Sequence, residues 1–213
     1  MIPDTRLEEL ILDQKEVFLS RDPGTTRNLD FEHYLSHEQI VVISGIRRSG
    51  KSTLMRQFAG RFPAFYYINF DDERLIDFDL ADFSRLMVAF QKILPDVRVI
   101  FIDEIQNVEG WERFVRRIHD EGYKIFLTGS NARLLGSELA THLTGRYVKI
   151  ELYPFSFAAL LAFRQIGYGT VSSSKKAEIL AVFDEYLEHG GFPEFIRYQD
   201  REFLQHTYDD ILF

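Results

Sequence analysis

The sequence contains no cysteine and only six prolines, and it has no apolar run long enough to cross a membrane. The absence of cysteine excludes disulfides, thiolate metal sites and a cysteine nucleophile. The longest apolar candidates, near residues 40–43 and 157–163, fall well short of the roughly 18 residues that a membrane-spanning helix requires. Asp4, Glu8 and Glu9 stand where a secretion signal has basic and apolar residues. We therefore expect a cytoplasmic protein with no membrane partner.

The sequence also has fewer basic than acidic residues, 25 against 33, which gives a formal net charge of −8. A surface of this sign repels nucleic acid, whose binding depends on neutralising phosphates. Short basic clusters occur at 47–48 and 113–117, but such clusters are usually solvated helix faces. A DNA or protein client therefore remains an open hypothesis.

The most informative segment that is present runs from Gly45 to Ser52 and fits the phosphate-binding pattern G-x-x-x-x-G-K-[ST]. It follows the apolar stretch 40–43 and precedes a helical pattern, so backbone N–H groups and a helix N-terminus would face one anion. Lys51 would reach the β and γ phosphates and assist catalysis, and the Ser52 hydroxyl would ligate Mg²⁺. The predicted nucleotide-binding residues of this segment are Gly45, Arg47, Arg48, Ser49, Gly50, Lys51, Ser52 and Thr53.

The apolar pattern predicts an α/β fold. Strands expected at 40–43, 64–70, 99–102, 125–128 and 147–152 alternate with helical stretches, which is typical of a parallel sheet with helices on both faces. We assign residues 1–153 to a P-loop core that includes an N-terminal helix at 6–19, and residues 154–213 to a helical, lid-like region. Because the chain ends on apolar residues, we expect that region to be truncated and the chain to be the N-terminal part of a longer protein.

An acidic pair follows the third predicted strand. Asp103 directly follows the apolar run 99–102, at the strand end where ligands bind in open α/β sheets. We predict that Asp103 holds Mg²⁺ and that Glu104 accepts a proton from the attacking water. The alternative is a charge pair at the start of a helix.

Three further residues are candidates for catalysis. Ser130 and Asn131 follow the fourth strand, which lies between the other two motifs in such sheets, and either side chain is a candidate for contacting the γ phosphate or the water. The sequence does not separate them, and helix capping is the alternative. Arg146 is a candidate arginine finger acting on a neighbouring subunit of a homo-oligomer, with a surface salt bridge as its alternative.

These motifs together resemble the bacterial and archaeal AAA-type ATPases that carry a C-terminal domain of unknown function. The resemblance rests on segments 45–54, 101–106, 111–112, 127–131, 143–146, 151–157 and 190–194. It implies an AAA+-like sheet of five strands with the phosphate-loop strand near its centre. It also implies that Arg146 is the finger and that Pro193 and its neighbours lie near the adenine.

The sequence thus predicts Mg²⁺-dependent ATP binding and hydrolysis that drive a conformational switch or the remodelling of an oligomer. One alternative is a nucleotide-gated binding module that serves as a scaffold for DNA or protein, with little turnover. Another alternative is a small-molecule P-loop kinase. The predicted base at Glu104 and the polar residues Ser130 and Asn131 argue against it, because both features favour water as the acceptor of the phosphoryl group.

Overall fold

The computed structural model describes residues 3–130, 143–167, 169 and 172–212. The chain divides into two compact units. The first unit comprises Met1–Gly24, Asp30–Ser44 and Lys51–Glu151, and the second comprises Thr25–Leu29, Gly45–Gly50 and Leu152–Phe213. The second unit thus contains most of the glycine-rich loop together with the region that follows the last strand.

The first unit is built on a parallel sheet of five strands in the order β2-β3-β4-β1-β5. The strands are β1 (Ile40–Gly45), β2 (Tyr66–Asn69), β3 (Val99–Asp103), β4 (Lys124–Ser130) and β5 (Tyr147–Leu152). This confirms the predicted fold class, and β4 lies between β1 and β3 as expected. β1 and β3, which lead into the two predicted phosphate and metal motifs, are therefore separated by one strand.

The centres of β1, β3 and β4 are continuous apolar runs because both faces of the sheet are covered there, whereas the edge strand β5 contains Lys149 and Glu151. Ile100 and Ile102 face one apolar core, whereas the ring of Phe101 stacks on Phe126 of β4 at 4.6 Å between centroids. Phe126 in turn lies 5.1 Å from the ring of Phe58. Successive residues of one strand thus pack against different helical layers, which fixes the register of the sheet.

The helices of this unit supply those layers. Among the described residues they are α1 (Asp4–Ser20), α2 (Phe31–Ser36), α3 (Lys51–Ala59), α4 (Asp82–Ile93) and α5 (Trp111–Asp120). Trp111 of α5 is buried in the main core. The helical stretch expected between the fourth and fifth strands, at 132–143, lies outside the described residues except for its last residue.

α1 does more than cover the sheet. Its stripe of Leu7, Leu10, Ile11 and Phe18 is buried, in agreement with the predicted helix. Gln14 is buried too: its Nε2 donates to the carbonyl of Asn69 at 3.0 Å, and its Oε1 accepts from the N–H of Asn69 at 2.8 Å. The side-chain amide therefore pairs with the edge strand β2 as another strand would.

The second unit is helical after β5. Its helices are α6 (Phe157–Phe163), α7 (Ser173–His189), α8 (Pro193–Tyr198) and α9 (Arg201–Leu212). Ser156 caps the N-terminus of α6 by accepting from the N–H of Ala159. α8 does not follow from the apolar pattern, which suggests a stop at Pro193. In the structure Pro193 occupies the first turn of α8, where its missing N–H costs no hydrogen bond.

None of the helices within the described residues combines the length and the apolar character that a membrane crossing would need.

Candidate functional site

The acidic pair lies at the carboxyl end of β3. Asp103 is the last residue of the strand and is almost fully buried. Glu104 follows with φ 52° and ψ 43°, a left-handed conformation that side-chain-bearing residues rarely adopt. Its carbonyl accepts from the N–H of Asn107 at 3.1 Å, which begins a 3₁₀ turn at Ile105–Asn107. The sharp change of direction ends the strand.

Thr128 of β4 connects these two residues. Its hydroxyl donates to Oδ1 of Asp103 and accepts from the backbone N–H of Glu104, the latter at 3.1 Å. Thr128 is fully buried, so both bonds are shielded from water. One hydroxyl therefore orients the aspartate and holds the strained backbone of the glutamate.

Tyr67 of β2 approaches Asp103 from the other side. Its hydroxyl lies 3.4 Å from Oδ2 of Asp103, and its ring stacks on Phe18 of α1 with centroids 4.0 Å apart. Burial, and then the negative charge of Asp103, raise the pKa of Tyr67 well above its usual range. The tyrosine therefore stays protonated, with its hydroxyl hydrogen available to the carboxylate.

The glutamate has a distinct electrostatic environment. Burial raises the pKa of the Glu104 carboxyl above its ordinary value, and the charge of Asp103 adds to this effect. A hydrogen bond from Nε2 of Gln106 to Oε2 at 2.5 Å and the charge of Lys51 act in the opposite direction. A carboxylate with a raised pKa is a better proton acceptor than a solvated one.

Ser52, Asp103 and Glu104 line one pocket of about 410 Å³ in the first unit. A hydroxyl and one or two carboxylates are the donors that Mg²⁺ uses when nucleotide phosphates and water complete its shell. Within the described residues no group of three or more His, Asp or Glu forms a complete metal cage. The donor set thus fits a magnesium ion shared with a phosphate ligand, which Ser52 and Asp103 would hold.

The loop at 45–50 lies in the second unit and contains residues with positive φ. Gly45 and Gly50 have φ values of 154° and 94°, and Arg48 is left-handed with φ 62°. A Cβ added to Gly45 would lie 2.1 Å from the carbonyl oxygen of Leu152, so only glycine fits there. The hydroxyl of Ser49 is buried and has no hydrogen-bond partner among the described residues.

Side chains from distant parts of the second unit hold this loop. Ile46 packs against the cluster of Phe192, Phe195 and Leu204, and Nη1 of Arg48 lies 3.9 Å from Oε2 of Glu194. Pro193, the predicted adenine neighbour, therefore lies between two residues that contact the loop. Its role toward a base stays a prediction.

The other predicted residues are distributed as follows. Lys51 is buried at the first position of α3, Ser52 and Thr53 follow it half-buried, and Arg47 is exposed. Ser130 ends β4, whereas Asn131 lies outside the described residues.

Arg146 is not brought to the pocket. It directly precedes β5, and its carbonyl accepts from the N–H of Ile40, the first residue of β1. Arg146 therefore lies at the amino ends of the parallel strands, whereas Asp103 lies at their carboxyl ends. A strand of five residues separates the two ends by about 15 Å. Nε of Arg146 lies 3.5 Å from Oδ1 of Asp120. Its side chain does not serve the pocket of its own chain.

Three residues with a place in these two regions are absent from the sequence predictions: Thr128, Tyr67 and Arg27. The position of Thr128 could have been predicted from the pairing of β3 with β4. The register pairs Ile102 with Leu127, so that Thr128 lies beside Asp103. Tyr67 belongs to an apolar strand pattern that gives its hydroxyl no special meaning. Arg27 lies in a connecting segment without any motif; its Nη2 donates to the carbonyl of Ser49 at 2.7 Å.

Comparison with known proteins gives a consistent result. The family model described as "AAA domain" matches residues 37–161. An uncharacterized protein of Methanocaldococcus jannaschii, MJ1544, is 38% identical over 216 residues, which cover 97% of this chain and 47% of that protein. An uncharacterized protein of Haemophilus influenzae is 37% identical over 166 residues, covering 74% and 40% respectively. The chain therefore spans less than half the length of these two relatives.

Among solved structures, the closed state of Hsp104 with ATPγS and casein aligns with a TM-score of 0.52 at 16% identity. The alignment covers 89% of this chain and 38% of the Hsp104 chain. At this identity the likeness concerns the fold alone.

Proposed function

Because the chain belongs to the AAA domain family, we propose that it binds ATP together with Mg²⁺ and hydrolyses it. The observation that carries the proposal is the pocket lined jointly by Ser52, Asp103 and Glu104. The loop 45–50 and the following Lys51 hold the triphosphate through backbone N–H groups and the lysine ammonium. Bound Mg²⁺ neutralises phosphate charge and helps to position the γ phosphate.

In this proposal Glu104 is the group that accepts the proton of the attacking water. Its raised pKa and its partly buried carboxylate support that role. The hydroxyl of Thr128 keeps Asp103 and the backbone of Glu104 in a fixed relation while the reaction proceeds. Water as the acceptor makes the chain a hydrolase rather than a kinase.

We further propose that Arg146 acts in trans, on the site of a second copy of this chain. Its position supports this: Arg146 lies at the amino ends of the strands, whereas an arginine finger that serves its own site would have to lie at the carboxyl ends, with Asp103. Hydrolysis would then depend on oligomer formation, and turnover would be coupled to a conformational switch or to remodelling of that oligomer.

The same observation favours a second candidate, a nucleotide-gated binding module for a protein or DNA. A chain without its neighbour would hold ATP and turn it over slowly, so that the bound nucleotide acts as a signal. The two candidates differ in whether the rate per chain rises with protein concentration.

Phosphate release from ATP, without any added acceptor, tests the proposal. We expect Glu104→Gln to keep the ATP affinity but to lose about 100-fold or more of the hydrolysis rate. Lys51→Ala should lose binding, whereas Lys92→Ala, a change at an exposed position of α4, should leave both quantities unchanged. Undiminished phosphate release by Glu104→Gln would remove that residue from the mechanism.

The trans arrangement has its own test. The specific rate of the wild-type chain should rise with concentration, and Arg146→Ala should abolish that rise. A mixture of Arg146→Ala with Glu104→Gln should recover activity, because one copy supplies an intact pocket and the other an intact arginine. If the mixture stays inactive while the wild type is active, the finger is not Arg146.

A further inference from the structure

Arg27 lies in the connection between α1 and α2, and its side chain contacts Ser49, Tyr153 and Phe155 within the second unit. Nη2 donates to the carbonyl of Ser49 at 2.7 Å, and Nη1 donates to the carbonyl of Tyr153 at 3.3 Å. The guanidinium carbon lies 4.1 Å from the centre of the Phe155 ring. A Cβ on Gly50 would be 3.5 Å from Nη2, so the cation lies directly beside the loop.

These contacts require a guanidinium. A planar fork donates to two carbonyls while its face stacks on an aromatic ring, whereas an ammonium is a compact point charge that does not combine the three. Burial lowers the pKa of Arg27 to about 10, which still leaves the side chain cationic at neutral pH. The loop therefore has a permanent positive charge at its side.

The bond to Ser49 has a consequence for the next residue. The peptide unit between Ser49 and Gly50 is planar and trans, so its carbonyl and its N–H point in opposite directions. Fixing the Ser49 carbonyl toward Arg27 fixes the Gly50 N–H away from it. In a phosphate-binding loop it is these N–H groups that contact the anion.

We propose that Arg27 is a positioning residue for the triphosphate: it holds the Ser49–Gly50 peptide in the orientation that accepts phosphate. The inference rests on the proposed nucleotide binding and names a residue outside the motif on which that binding depends. Arg27 also contacts the segment that follows β5, through the carbonyl of Tyr153 and the ring of Phe155. Phe155 donates its N–H to the carbonyl of Gly191 at 2.7 Å, and its carbonyl accepts from Tyr186 at 3.0 Å.

Equilibrium binding of ATP, ADP, inorganic tripolyphosphate and adenosine tests the inference. We expect Arg27→Gln to weaken tripolyphosphate and ADP about tenfold or more, the usual value of a hydrogen bond from a charged donor, and to leave adenosine unchanged. Arg27→Lys should not rescue the loss, because the ammonium lacks the fork. Arg61→Gln is the matched control, since its guanidinium lies over the Phe31 ring at 5.2 Å, in the first unit.

The outcomes separate the inference from the function on which it rests. If the wild type binds neither ATP nor tripolyphosphate, the proposed function fails. If the wild type binds both and Arg27→Lys binds tripolyphosphate equally well, only the role of Arg27 is overturned. A parallel loss of adenosine and tripolyphosphate would indicate general unfolding and also count against it.

A second variant covers the case in which Arg27→Gln does not fold. Phe155→Leu removes the ring that supports the guanidinium but leaves both carbonyl partners in place. We expect a loss of a few-fold for tripolyphosphate and none for adenosine. Hydrogen exchange without nucleotide should be faster at residues 49–50 in this variant, and unchanged exchange there would contradict the proposal.

Discussion

The carboxyl ends of β3 and β4 and the loop at 45–50 are held by different means. At the strand ends, the hydroxyl of Thr128 binds Asp103 and the backbone of Glu104 across neighbouring, fully buried strands. The loop depends instead on residues far away in the sequence: Arg27, Leu152 and Glu194. The comparison teaches that the acidic pair of the first unit is fixed by the sheet itself, whereas the loop of the second unit is fixed by chain segments that precede and follow it.

The largest effect should come from breaking the close approach at the start of the loop. In Gly45→Ala the new Cβ would meet the Leu152 carbonyl at 2.1 Å, in a backbone conformation that alanine avoids. We expect a loss of about 3 kcal/mol or more in the free energy of unfolding. Gly122→Ala is the control, because Gly122 also has a positive φ but has nothing within 4 Å.

Thermal and urea unfolding of the two variants measure this difference. The control should lose only about 1 kcal/mol, the cost of the left-handed backbone for a residue with a side chain. Equal destabilisation of the two variants would mean that the contact with Leu152 does not fix the loop.

An intermediate effect should follow from removing the hydroxyl at the strand ends. Thr128→Val keeps the shape of the side chain but leaves the buried Asp103 carboxylate and the Glu104 N–H with one partner fewer. We expect a fall of about 10- to 100-fold in Mg²⁺ affinity, measured with nucleotide present, and in phosphate release. Thr128→Ser, which keeps the hydroxyl, should retain most of both.

The tripolyphosphate affinity measured without Mg²⁺ makes that test specific. It should be unchanged in Thr128→Val, because the loop is held independently of the strand ends. A comparable loss of tripolyphosphate affinity without metal would show that the loop at 45–50 depends on the Thr128 hydroxyl.

The smallest effect concerns the protonation of Glu104. Because its pKa is raised in the folded chain, ionisation of this group opposes folding: its stabilising contribution is complete below the ordinary value of 4.5 and is lost as the pH rises through the folded-state pKa. Glu104→Gln should therefore have a higher Tm than the wild type at pH 8, and the difference should shrink toward pH 4.

The same shift affects the rate. The acid limb of wild-type phosphate release should lie above pH 4.5, since Glu104 has to be ionised to accept a proton. A limb at or below that value, or a Tm difference that grows toward acid, would contradict the assignment of the raised pKa to Glu104.

Much of this architecture could be predicted because continuous apolar strands and a glycine-rich loop have local signatures. Ser52, Asp103 and Glu104 each follow such a signature, and the structure brings them to one pocket. Arg27 has no local signature, because its function comes from contacts with Ser49, Tyr153 and Phe155 that only the folded chain brings together. α8 was missed for a related reason, since a proline reads as a helix stop until its place in the first turn is known.

The N-terminal helix α1 determines how far the N-terminus of this domain can be truncated. The family match begins at residue 37, yet α1 buries Leu7, Leu10 and Phe18 in the first unit, and Gln14 pairs with the backbone of Asn69 in the edge strand β2. A protein shortened to the matched limits would open its apolar core and expose a bare strand on which foreign chains can assemble. The folded first unit thus extends beyond the segment that the family model matches.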